Sequence, residues 1–576
     1  MNCIQLFEDR SAEGQYNHLV VERSLKWKTG EEITVSFIEP DPSTLREDQS
    51  LNPLTPRIKA LIKHFAHQWE KFANIKFTFL EDGEMDALVR ISLVKNGGSN
   101  SYVGTDCKGL NLNGRATMNF GWFYDDLDKT TDVSFRSTGM HEFGHALGCQ
   151  HEQLNARLHW NENVVIEYYA KKENGGWSER KTRFNFNNFS PVQNGGQYAT
   201  TSWDQESIMH YHIEKSWNKE GIAVRPTKTP SQLDKNFMEE MYPFSRPYGD
   251  KIMHWSSIAA VDVYEYQHAK MYISLFVQGH SGAIYQVRYL WRDGSPKIIE
   301  NPKCQTTVVS TMAVRRTPLA TLVHYDGPGV PTVHLFYLDK ENSIQEIIWV
   351  NGERKEQHDL GIKATIDSDL SVVFWKENKD TPHFRLYLQD EDNNIQEYAK
   401  VGTSSWRKGT FLNFTKNPSS RPLSGTSLTF INTALDKPTI HGWWQCSISG
   451  DIWEATNNGS GWELNEVPRG NVPYHAAIAA GFKGKRAAPE IAVYNVTDSN
   501  GILKTDHGTT WGSEINGNTP VDEGTRMAVV DNDEGFHVFA IGGGHLIKRT
   551  FPKDGDAWAD WKTSRVVMSD TSHLKN

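Results

Sequence analysis

Two histidines four residues apart, His141 and His145, with Glu142 directly after the first, are the residues of this chain best placed to do chemistry. On a helix the two imidazoles lie on one face, one turn apart. At that spacing they grip one zinc ion, and the carboxylate of Glu142 reaches a water on the metal. A zinc site that does chemistry has three protein ligands and an open position. His151 is the third ligand if the chain turns sharply after the helix. Gly148 provides that turn, because glycine tolerates the left-handed conformation that ends helices. A plain amphipathic helix explains two histidines and a glutamate taken alone. It does not explain them together with Gly148 and His151. The cofactor expected is one Zn2+ per chain. Three neutral imidazoles leave the ion its full charge, which draws the pKa of bound water from ~16 towards ~7. Glu142 then takes the water's proton and passes it to a leaving amine.

These groups must be held by a helix starting near Phe135 and by the elements that pack on it. Ile33–Phe37 alternates and is β-rich, so it reads as a strand. Thr55-Pro56 places an N-cap and a first-turn proline ahead of Ile58, Leu61, Ile62, Phe65, Trp69 and Phe72, which recur at helical spacing. His64 and His67 on that helix read as surface or satisfied histidines. Further strands are expected near Ile75–Phe79 and Ala87–Leu93, and Ala116–Phe120 reads as an edge strand able to hold an extended peptide. Residues 1–25 show no periodicity and read as a loose arm or a covering segment.

Beyond the third histidine comes Ser207-Ile208-Met209-His210-Tyr211. With the long histidine motif and Glu152 directly after His151, it makes the chain resemble the astacin group of metzincin zinc proteases. The resemblance implies that Met209 is the hydrophobic floor of the zinc site. It implies that Tyr211 is a movable additional zinc ligand that stabilises the transition state, and that Glu152 holds a mature N-terminus or supports the site from behind. Leu233-Asp234-Lys235 and Met241-Tyr242-Pro243 resemble the closing helix of that domain. Asn155 and Arg157 depart from the family pattern, Cys149 stands where a Phe is usual, and the family's disulfide cysteines are missing. One further expectation is that Cys3 or Cys107 caps the metal in a resting form.

The charge of −10, mixed in sign, argues against a nucleic-acid partner. No apolar run is long enough to span a membrane. Five scattered cysteines do not form a disulfide framework. The start of the chain lacks a signal-peptide pattern. The expected location is therefore the cytoplasm, with non-classical release as an option.

After Pro243 the composition changes and most of the 19 tryptophans lie there. Apolar starts at Ser257, Thr311, Asp369, Thr426, Ala477 and Arg526 each precede a turn and then Ile284, Ile344, Ile395, Ile452, Ile502 or Leu546. Six repeats at roughly 50 residues predict the four-stranded blades of a β-propeller. The fold class expected is thus an α+β zincin over residues 1–246, followed by an all-β six-bladed propeller over 247–576. In one repeat Arg385 and Glu397 are twelve apart and flank the turn Asp390–Asn394, so they should stand opposite each other on one face. Together they can donate to and accept from a sugar's hydroxyls, with Trp406 against its apolar face. A cross-strand ion pair is the plainer reading. The Arg, Glu and Trp spacings resemble those of the fungal fucose-binding lectins, which implies carbohydrate binding at Arg385, Glu397 and Trp406. The same places hold Ser274 and Gln286, His334 and Glu346, His441 or Gly442 with Glu454, Ala492 and Lys504, and Phe536 and Lys548, so five of the six pockets read as degenerate. Trp462 and Trp511 either line pockets or pack between blades, packing being the plainer reading.

The expected partners are a peptide or protein substrate and a fucosylated glycan. The reading is a zinc endopeptidase targeted by a glycan-binding propeller. The alternatives are a lectin with an inactive protease scaffold, or a protease whose propeller binds protein.

Overall fold

The computed structural model describes the whole chain apart from residues 1–2, 7–20, 23–24, 41, 109–114, 125–130, 155–157, 172–173, 187–197, 200–202, 245–251, 254, 267–268, 294–303, 327–328, 378–380, 413, 415–417, 435, 468–471, 484–489, 498, 507–512, 516–519, 523, 533–534, 544, 553–561 and 566–576. Asn155, Arg157 and Trp511 thus lie outside the described residues. The chain divides into two compact units, Met1–Phe244 and Ser245–Asn576. No helix among the described residues is long and apolar enough to cross a membrane.

In the first unit, Thr55 caps the helix Pro56–Trp69 by accepting from the Ile58 amide at 3.3 Å. Its Ile58, Leu61, Ile62, Phe65 and Trp69 are buried, as their spacing predicts. Each such side chain contributes about 1.5–3 kcal/mol relative to exposure. This face packs on the helix Asp132–Ala146. Two contacts set how closely. A Cβ on Gly139 would meet the Phe65 ring at 3.2 Å. The Trp69 indole donates to Met140 O at 2.8 Å. A buried ion pair, Arg57 to Asp132 at 2.7 Å, ties the two N-terminal ends.

The sheet runs in the order Cys3–Leu6, Ser99–Tyr102, Met118–Phe120, Val89–Ser92, Glu32–Phe37, Lys76–Phe79. This corrects one expectation. Met118–Phe120 is an interior strand, paired on one side with Val89–Ser92 and on the other with Ser99–Tyr102. A residue-level pattern shows that a strand exists but not which neighbours a later segment will bring. Cys3–Leu6, from the expected loose arm, adds in parallel to the outer side of Ser99–Tyr102.

The second unit is six four-stranded antiparallel sheets, each built from consecutive strands. Their first strands are Ile258–Glu265, Leu319–Asp326, Leu370–Glu377, Thr429–Asn432, Ile478–Lys483 and Ala528–Asn532. These touch one another in sequence, and the sixth touches the first, so the ring closes around a cavity of about 550 Å³. Radial repetition leaves each blade only short, protected edges. Apolar residues from adjacent blades fill the spaces between them, such as Val373, Tyr387 and Ile395 against Phe430, Ile440 and Trp444. Buried glutamines link successive blades. Gln278 donates to Val314 O at 2.9 Å, Gln389 to Leu423 O at 3.0 Å and Gln445 to Pro473 O at 2.8 Å. Each reaches the segment that leads into the next blade.

Candidate metal centre and carbohydrate pockets

The helix Asp132–Ala146 ends where Gly148 takes a left-handed φ of 101°. Its last carbonyls are satisfied from outside, Ala146 O by the Trp27 indole at 2.7 Å and Leu147 O by the Tyr242 hydroxyl at 2.6 Å. The turn brings His151 back to the helix. His141, His145 and His151 then present ring nitrogens all within 4.8 Å of one another. All three are buried.

Their orientation is set by backbone. His141 Nδ1 lies 2.8 Å from Ile208 O, and His145 Nδ1 lies 2.7 Å from Cys149 O. A carbonyl only accepts, so both Nδ1 atoms carry the proton and both Nε2 atoms are bare lone pairs. His145 Nε2 sits 3.1 Å from His151 Nε2. Among the described residues, His141 Nε2 is buried without a hydrogen-bond partner. Burial pushes His141 down to about 4, and burial together with the neighbouring imidazoles holds His145 and His151 well below the usual histidine range. Neutral imidazoles with converging lone pairs are the form in which histidine binds a metal. This donor set fits zinc.

Glu142 is fully buried beside His141. Met209 lies beneath the helix, and its sulfur is 2.5 Å from where a Cβ on Gly144 would stand. Gly144 is therefore needed for the floor to approach. The floor is itself held by Asp234, a residue the sequence places in the closing helix without a role at this loop. Asp234 accepts from Ser207 Oγ at 2.7 Å, the Ile208 amide at 2.8 Å and the Ser231 amide at 2.9 Å. It belongs to a capping box on the helix Gln232–Met241, and burial raises its carboxyl to about 6. The carbonyl of the same Ile208 orients His141, so one carboxylate fixes the loop that fixes a ligand. Glu152 braces this loop too. Its carboxylate accepts from the Asp204 amide at 2.9 Å, and its own amide donates to Met209 O at 3.1 Å.

The Tyr211 ring lies tilted against the His151 ring at 4.2 Å, and its hydroxyl donates to Asn185 Oδ1 at 3.4 Å. His210 is a fourth buried imidazole near the triad, pushed down to about 3 by burial and by His141. Its signal in the sequence was only its place between Met209 and Tyr211. Cys107 donates to Gly104 O at 3.3 Å, and burial pushes its thiol up to about 12. Among the described residues the metal-ligating group comprises the three histidines alone, which removes Cys107 as a cap; the side chain of Cys3 lies outside them.

In the propeller the Arg385–Glu397 expectation needs two corrections. Tyr387 pairs with Glu397, and Arg385 with Ala399, so Arg385 and Glu397 are diagonal rather than opposite. They still share a face, and Arg385 Nε lies 3.5 Å from Glu397 Oε1. Tyr387 donates to Glu397 at 2.9 Å, and burial raises the Glu397 carboxyl. Trp406 is not at this pair. It packs edge-on against Phe336 of the preceding blade at 6.0 Å and beside Phe384 at 6.3 Å. Phe384 precedes Arg385 in an extended strand and so points to the opposite face. Two indoles stand on the Arg385–Glu397 side: Trp375 of the same blade, its ring 4.7 Å from the Arg385 guanidinium, and Trp462 of the next blade, edge-on to Tyr387 at 6.0 Å. Register also replaces Phe536. Lys548 pairs with Phe539, so the residue matching Arg385 is His537.

A peptidase-like unit with a three-histidine centre, joined to a closed six-bladed propeller, is what these units define. Residues 50–236 match the family model described as astacin, peptidase family M12A. Residues 252–538 match the one described as fungal fucose-specific lectin. The fucose-specific lectin g276 of Arthrobotrys oligospora is 32% identical over 335 residues, covering 55% of this chain and 87% of that protein. The fucose-specific lectin of Aspergillus oryzae is 25% identical over 297 residues, covering 50% of this chain and 86% of that protein. Among solved structures, myroilysin is 35% identical with a TM-score of 0.34, covering 39% of this chain and 100% of that one. The chain belongs to the fungal fucose-specific lectin family through its C-terminal half and carries an astacin-family peptidase domain ahead of it.

Proposed function

We propose that this protein is a zinc-dependent endopeptidase whose propeller binds fucose-bearing glycans and so directs cleavage to glycosylated targets. The observation that supports it most is the tautomer-fixed convergence of His141, His145 and His151. When bound there, zinc supplies Lewis acidity that polarises a peptide carbonyl and acidifies water. His141, His145 and His151 would hold it through their converging ring nitrogens. Glu142 takes the proton of the attacking water and delivers it to the leaving amine. The Tyr211 hydroxyl exchanges Asn185 for the developing oxyanion and donates to it. In the propeller, Arg385 donates to and Glu397 accepts from sugar hydroxyls, and Trp462 offers an aromatic face. Tethering raises the local concentration of substrate without altering the chemistry.

Zinc content and cleavage of an unfolded protein test this, in the wild type and in Glu142→Gln. One zinc in both, with cleavage reduced at least about 100-fold in the variant, is the expected result. Equal cleavage would remove Glu142 as the base. Neither zinc nor cleavage would leave a lectin with an inactive peptidase fold.

A further inference from the structure

Consecutive residues, rather than alternate ones, line the cavity at the centre of the propeller. Residues 258–262, 370–374 and 478–482 all contribute without a gap. A strand showing a face would contribute every second residue, so the first strands of the blades turn an edge inward. Each of them is paired within its sheet on one side only. Neighbouring blades take some of the inward groups. Tyr325 Oη accepts from the Tyr264 amide at 3.0 Å, and Ser371 Oγ from the Phe430 amide at 2.8 Å. A strand edge offers backbone donors and acceptors to an extended chain. Between the edges part of the wall is small and apolar, with Ala260, Ala479, Ala480 and Gly481. At about 550 Å³ the space is of the size that holds small ligands.

Charge divides the lining. Arg526 lies just before the strand Ala528–Asn532 and is 23% exposed. Among the described residues its guanidinium makes one hydrogen bond, from Nη2 to Gly425 O at 3.3 Å, and Nη1 lies 3.9 Å from Asp369. Asp369 is engaged by backbone instead, accepting from the Leu370 amide at 2.9 Å and the Leu428 amide at 3.2 Å. A guanidinium carries five N–H donors, so most of the Arg526 fork is left for a guest. Asp531 lines the cavity five positions further along the same segment, roughly 17 Å on at ~3.3 Å per residue. Asp262, which also accepts from the Trp291 indole at 2.9 Å, lines it too. One arginine thus stands against three aspartates, a pattern that suits a dipolar guest better than a plain anion.

We propose that the central cavity binds a short extended peptide of about four residues with uncapped termini. Its carboxylate lies on Arg526 and its ammonium towards Asp262 and Asp531. Its backbone pairs with the inward strand edges, and its side chains meet the alanine wall. Such peptides are products of peptide-bond hydrolysis, the chemistry of the family that the first unit matches.

Titration calorimetry of the full chain with tetra-alanine tests this, in a Glu142→Gln background so that no cleavage consumes the probe. One site is expected. Affinity should fall at least about 10-fold when the carboxylate is amidated, and also when the amine is acetylated. Arg526→Gln should abolish the difference between acid and amide, and Asp531→Asn should shrink the effect of acetylation. Amidation needs no variant of the propeller, so it decides even if Arg526→Gln fails to fold. Binding indifferent to amidation, or unchanged in Arg526→Gln, would overturn the proposal, because the peptide would then sit elsewhere, as in the peptidase unit. No saturable binding by about 5 mM peptide would overturn it as well.

Discussion

Asp234 shows how much of the metal centre depends on a residue that touches no metal. It holds Ser207 and the Ile208 amide, and Ile208 O in turn fixes the proton on His141. In Asp234→Asn one acceptor oxygen becomes a donor, so either Ser207 Oγ or the Ile208 and Ser231 amides together lose their partner, at about 1–3 kcal/mol for each group stranded. We expect the variant to stay folded and to bind zinc about 10–100-fold more weakly, read by competition with a chelator. Unchanged affinity would show that the loop keeps its shape without the carboxylate. Gly144 and Met209 belong to the same logic, since the floor rises to the helix only where a Cβ is absent.

At the scale of elements, the buried glutamines bind blade to blade. Gln389→Leu removes the donor that crosses to Leu423 O, a carbonyl that keeps its bond from the Thr426 amide at 3.1 Å. A loss of about 0.5–1.5 kcal/mol in the unfolding of the propeller is expected by denaturant titration. A loss under about 0.5 kcal/mol would show that the link adds nothing beyond packing. Buried imidazoles set a pH dependence. Burial pushes His537 down to about 3 and His324, which also faces His334, down to about 4. Against an ordinary value near ~6.5, the unfolded chain binds protons that the folded blades refuse. The stability this confers is full above about pH 6.5 and is lost as pH falls towards 4. The propeller should melt lower at about pH 5 than at about pH 7.5, by calorimetry. A flat profile would show that both rings accept a proton in place.

At the scale of the whole molecule, two compact units with separate cores predict two unfolding transitions. Only the first should respond to metal. A ligand at about 1,000 times its Kd stabilises by about 4 kcal/mol, so a chelator should lower the first transition and leave the second in place. A shift in both would mean that the units unfold together.

Short-range chemistry was legible in the sequence alone. His141, Glu142 and His145 lie on one turn, Gly148 allows the reversal, Thr55-Pro56 starts a helix, and a repeat of fixed length predicts blades, because each depends on neighbours in the chain. What the chain brings together from afar was not legible. The strand Met118–Phe120 became interior because Ser99–Tyr102 and Cys3–Leu6 lie beyond it. Trp406 went to the previous blade's pocket and Trp462 came to Arg385, since a propeller pocket is made by two blades and spacing describes one. His537 emerged only from register, and register chose His441 over Gly442, because loop lengths differ between blades while hydrogen-bond pairing does not. Asp234 reaches the metal centre across 93 residues from His141, through a carbonyl whose direction no local pattern encodes.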